Sequence, residues 1–157
     1  MSTKPETDFA RKLAQAPRTT MAAQLGEAER LIAGKRADFA TEIESMIASL
    51  EAIVQIRDND GVNRISPLCS EIAGASGLVG MADVAHVASG LAQLCDEMAH
   101  ESWSWEAISV FAKALHLAAR PGSFASPSER DVLFGQLAAV RAAVMQRAAR
   151  HSSEHAA

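Results

Sequence analysis

Apolar residues return every three or four positions in one segment of this chain after another, and that spacing is the period of one buried helix face. The plainest run is residues 36–57. Phe39, Ile43, Met46, Ile47, Leu50, Ile53 and Val54 share a stripe there, and Glu42, Glu44 and Glu51 lie off it, as an amphipathic helix requires. Ile65, Leu68, Cys69, Ile72, Ser76 and Val79 repeat the pattern over about 62–79. Val84, Val87, Leu91, Leu94, Cys95 and Met98 carry it over 82–100, and Trp105, Ile108, Phe111, Leu115 and Ala118 over 104–119. Leu133, Leu137, Val140 and Val144 extend it to about residue 147.

The punctuation between these runs is that of helices. Asp58-Asn59-Asp60-Gly61 is strong turn chemistry. Gly80 suits a left-handed cap, and Pro121-Gly122 stops a helix. Ser126-Pro127-Ser128-Glu129 reads as a start: a capping serine, proline in the first turn and glutamate three residues after the cap. A short first helix is expected at 20–33, ending near Gly34. No strand alternation interrupts the series. The architecture expected is all-α, an up-down antiparallel four-helix bundle with an additional short N-terminal helix. Residues 1–18 read as a mobile arm in which Phe9 and Leu13 could form a docking turn, 19–147 as the bundle, and 148–157 as a polar tail.

Composition agrees with helices. Aromatic residues make up 4% of the 157 residues and tyrosine is absent, whereas sheets favour aromatic and β-branched side chains. A formal charge of −4 argues against a nucleic-acid groove, which needs a basic face. No apolar run approaches the roughly 20 residues of a membrane span, and no signal peptide is visible, so the cytoplasm is the expected compartment. Cys69 and Cys95 fall on apolar stripes and read as small buried hydrophobes.

The segment Cys69–Gly80 reads as half of a helix with two unlike faces. Opposite its apolar stripe stand Ser66, Ser70, Ala73, Gly74 and Gly77, none larger than serine. A solvated helix face normally fills with Glu, Lys, Gln and Arg. Two interior glycines cost about 1 kcal/mol each against alanine. Close approach by another surface offsets that cost, because only small side chains permit it.

This stretch resembles the motif of histidine phosphotransfer domains, which runs small-His-polar-Leu/Ile-Lys-Gly-small-small and closes on a glycine. Ile72 falls on the aliphatic position, Gly74 on the glycine after the lysine and Gly80 on the closing glycine. The looser match in helix lengths and apolar spacing spans 36–145. Two positions depart: the phosphoacceptor histidine is replaced by Ser70 and the lysine by Ala73. A phosphoserine is an ordinary ester unsuited to reversible relay, and alanine cannot neutralise a phosphoryl group. The resemblance therefore implies the family's shape without its chemistry: a non-catalytic protein of two-component signalling. Its expected partner is the receiver domain of a response regulator, or a histidine kinase, bound through the Ser66–Gly77 face.

If the next helix runs antiparallel, His86 should come near Ala73 and Gly74, and Gly90 near Ser70. The expected binding set is thus Ser66, Ser70, Ala73, Gly74, Gly77, His86 and Gly90. Two alternatives stand beside it: a true phosphocarrier using His86, and a structural bundle that self-associates, as a homodimer, through the small-residue face. His100 and His116 lack ligand-spaced neighbours. His151 and His155 stand at a chelating interval but in the polar tail, so no metal or cofactor is expected. Trp103, if exposed, would suit a binding hot spot, whereas Trp105 closes one end of the core.

Overall fold

The computed structural model describes residues 18–98 and 102–156, with side chains from residue 21 onward. The expected arm at 1–18, with Phe9 and Leu13, lies outside them apart from Arg18, and so does His100. The described residues are all-helical: α1 (Arg18–Ile56), α2 (Asn59–Leu78), α3 (Ala82–Glu97), α4 (Trp105–Ala119) and α5 (Pro127–His155). None of these helices is long and apolar enough to cross a membrane. Residues 1–38 and 39–157 are separate units, with α1 belonging to both.

Three boundaries differ from expectation. The short helix at 20–33 and the helix at 36–57 are one helix of 39 residues, without a break at Gly34. Lys35 and Arg36, both good helix formers, follow that glycine with no proline or turn residue, so continuing costs less than nucleating a new helix. α2 begins three residues before Val62, because Asp58 caps it by accepting the Gly61 N–H at 2.7 Å; the turn residues became the first helical turn. α5 continues through the expected tail to His155, with Ser152 and Ser153 donating to the carbonyls four residues back.

Other signals hold. Gly80 is left-handed at φ 77°, and Met81 N–H to Ser76 O with Gly80 N–H to Gly77 O completes the two bonds that close α2. Ser126 caps α5 by accepting the Glu129 N–H, while the Glu129 carboxylate accepts the Ala125 N–H at 2.9 Å.

The core lies in the 39–157 unit. Ile43, Leu50, Ile65, Ile72, Leu91, Leu94, Ile108 and Leu115 are its largest fully buried side chains, all on the stripes read from the sequence. Cys69 and Cys95 are free thiols inside it. Ser76 is buried with them, and its hydroxyl has no hydrogen-bond partner among the described residues.

Polar contacts fix how the helices run. The Ser66 hydroxyl donates to Asp96 at 2.7 Å; both lie far from the Gly80 turn, so α2 and α3 are an antiparallel hairpin. Asp83–Arg130, His86–Phe134 and Glu97–Arg141 climb α3 and α5 in the same order, so those two are parallel. Glu51–His116 at 3.0 Å and Arg57–Glu106 at 3.6 Å, Arg57 being the residue just after α1, run in opposite order along α1 and α4.

Candidate functional site

The bare face of α2 points to solvent. Ser70, Gly74 and Gly77 are exposed, and a methyl group built on either glycine meets nothing within 4 Å. Solvent therefore reaches α2 backbone directly at two successive turns. Ala73 is half-buried and packs against the core, which places it at the edge of the face. Ser66 is half-buried too, its hydroxyl held by Asp96 of α3, so it ties the hairpin together as well as lining the face.

Three residues escaped the sequence reading. Leu78 is 81% exposed beside Gly77, an apolar anchor at the end of the glycine strip. Pro67 stands inside α2 and is exposed. It withholds the N–H that the Asn63 carbonyl would otherwise accept. Leu78 was legible as the one large apolar residue off the α2 stripe. Asp96 was not, since its partner stands thirty positions away.

His86 and Gly90 do not join this face. His86 stacks on Phe134 of α5, ring centroids 4.3 Å apart. A methyl on Gly90 would lie 3.3 Å from the Phe111 ring of α4. Both line a hollow of about 240 Å³ with Leu137 and Arg141. The expected axial register agrees with the Ser66–Asp96 bond, but the rotation of α3 differs. At about 100° per residue, Asp96 sits a quarter to a third of a turn from His86 and Gly90, and it is the Asp96 flank that meets α2. Arg141 in that hollow is held by Glu97 and by Gln93 at 3.3 Å, and the Glu97 carboxylate raises its pKa.

The remaining candidates sit elsewhere. Trp103 is half-buried edge-on to Trp105, centroids 5.6 Å apart. It is part of the packing, not an exposed hot spot. His116 bridges Glu51 and Arg120. His151 lies 4.0 Å from Glu154, and His155 contacts the His151 carbonyl. Among the described residues, no three His, Cys, Asp or Glu side chains converge as metal ligands do.

Burial pushes both core thiols up, Cys95 to about 12 with Asp96 adding to the effect, and Cys69 further, aided by Cys95. Neither is a nucleophile at neutral pH. No known family model matches this chain, and no curated protein or solved structure does.

Proposed function

We propose that this protein is a non-catalytic relative in shape of histidine phosphotransfer domains, and that it docks a receiver domain or a histidine kinase on the α2 face without carrying phosphate. In this reading α2–α5 form an up-down antiparallel four-helix bundle, with residues 39–56 of α1 packed against it. The antiparallel α2–α3 hairpin and the parallel α3–α5 ladder support that topology.

One observation carries the functional reading: Gly74 and Gly77 present open backbone between exposed Ser70 and exposed Leu78. A partner helix laid there gains close contact along the strip and a pocketed leucine at its end, the kind of buried central anchor that dominates interfaces. Ser70 at the acceptor position and Ala73 at the lysine position leave the face its shape and remove its phosphoryl chemistry. His86 stacks against α5, away from this face, so the phosphocarrier alternative draws no support from the strip.

Backbone chemical shifts of the labelled chain, titrated with receiver domains and with kinase dimerisation domains, test the proposal. Perturbations should cluster at Ser70–Leu78. Gly74→Arg and Gly77→Arg should abolish them while the protein stays helical. Binding that survives both substitutions would sink the assignment of the face. Acid-labile label on the chain after incubation with a phosphorylated receiver would sink its non-catalytic character.

A further inference from the structure

The strip on α2 ends in an acidic hollow of about 350 Å³. Asn63, Ser66 and Pro67 of α2 form one wall, Asp96 and Met98 at the end of α3 another, and Trp103 a third. Asn63, Pro67, Ser70, Gly74 and Gly77 follow one another at steps of four, three, four and three, so the α2 wall of the hollow and the strip are one helix face. Leu78 stands at the opposite end of that face, about 16 Å from Pro67 at 1.5 Å per residue.

An exposed carboxylate is ordinary, but this one is fixed in place. The Ser66 hydroxyl donates to one Asp96 oxygen at 2.7 Å and leaves the other without a hydrogen-bond partner among the described residues. In the same hollow Pro67 withholds the N–H that the Asn63 carbonyl would accept, so a second acceptor stands bare at the stability cost of an interior proline. Trp103 supplies the aromatic ring that cations favour most. Among the described residues no lysine, arginine or histidine lines the hollow, whereas the neighbouring Glu97 already pairs with Arg141. Two bare acceptors, one of them charged, beside an indole ring are recognition chemistry for a protonated amine or a guanidinium. Pro67 and Met98 add an apolar flank for the stem of such a side chain. A free amine would have to pay its whole entropy of association for these few contacts, whereas a side chain on a helix already lying along the strip is held at high effective concentration.

We propose that the Asp96 hollow receives a lysine or arginine side chain of the helix that docks on the α2 strip. This rests on the docking proposed above, and it specifies the partner: a helix with a cationic residue about eleven positions, three turns, from the one that meets Leu78. Butylammonium and ethylguanidinium, the ends of those two side chains, titrated into the labelled full chain should move the amide signals of Asn63, Ser66 and Asp96 and the indole signal of Trp103. Butanol at the same concentration should not. Asp96→Asn keeps an acceptor for Ser66 and removes the charge, and should weaken the response about tenfold, the loss of one charge-assisted hydrogen bond. Pro67→Ala returns a donor to the Asn63 carbonyl and should also weaken it, in a protein at least as stable. A receiver or kinase domain that perturbs Ser70–Leu78 should bind Asp96→Asn about tenfold less well, and added salt should weaken its binding to the unaltered chain more than to the variant. Signals unmoved by either cation, an equal response to butanol, or a partner affinity unchanged in Asp96→Asn would each overturn the role of the hollow and leave the docking strip standing. A cation response that Asp96→Asn removes, with no perturbation of Ser70–Leu78 by any receiver or kinase domain, would instead sink the docking reading and with it the side-chain occupant, and assign the hollow to free amines.

Discussion

The glycines of α2 are alike in sequence and opposite in consequence. At Gly61 a methyl group would stand 2.8 Å from Ile53 Cγ2 and 3.0 Å from the capping Asp58 Oδ1, with the Trp105 ring at 3.6 Å. Residue 61 faces Ile53 of α1 and Trp105 of α4, and nothing larger than hydrogen fits without displacing a core side chain or the cap. Gly61→Ala should therefore destabilise the protein by about 1–3 kcal/mol, the usual cost of overpacking. At Gly74 the same change meets open space and should stabilise by up to about 1 kcal/mol, the helix-propensity difference. Urea denaturation of the two variants should give opposite signs. A stable Gly74→Ala protein with weakened partner binding would also explain why a residue that costs stability stands there.

At the scale of elements, the buried stripes of α2, α3, α4 and α5 could be read directly, because each helix buries one face and repeats its apolar residues at the helical period. Both ends of the α2–α3 turn and the start of α5 were legible for the same local reason: Gly80 and Ser126 act on backbone groups within a few residues of themselves. The start of α2 was not, since Asp58 can serve equally as a turn residue or as a cap, and only packing of Gly61 against Ile53 selects the cap. Nor was the rotation of α3 that sends His86 to Phe134, because a stripe fixes which face is buried but not which neighbour meets each flank. The candidate face on α2 was legible because it belongs to a single helix; the His86 and Gly90 part of the site depended on two.

Pro67 is the element-scale cost that α2 bears. It lies well past the first turn, removes one helical hydrogen bond and is exposed. Pro67→Ala should return a donor to the Asn63 carbonyl and raise stability by up to about 3 kcal/mol, the interior proline penalty. Thermal or urea unfolding would measure it, and unchanged stability would mean that neighbouring turns already absorb the penalty. Gly34→Ala is the parallel case in α1: far-UV circular dichroism should show equal or greater helicity, since nothing stands within 4 Å of that position.

For the molecule as a whole, the two buried thiols set how stability responds to alkali. In the unfolded chain a cysteine ionises near pH 8.5. In the folded chain burial holds Cys95 protonated to about pH 12, and Cys69 beyond it. Between those limits the unfolded state binds fewer protons than the folded one, so stability is complete below about pH 8.5 and falls as pH rises above it. Each thiol contributes a slope that approaches about 1.4 kcal/mol per pH unit once the unfolded thiol is fully ionised. The chain has no tyrosine, so no phenol titrates in the same range, and measurements kept below the ordinary lysine pKa of about 10.4 isolate the thiols. Urea denaturation at a series of pH values from neutral to just below that limit should show stability falling steadily. Cys95→Ala should be less stable at neutral pH, from the lost packing, yet have about half the slope. Removing Cys69 as well should leave stability nearly flat over the same range. A slope as steep in the double variant as in the wild type would assign the alkaline loss to some other group and show that the two thiols are not held in the core as the fold places them.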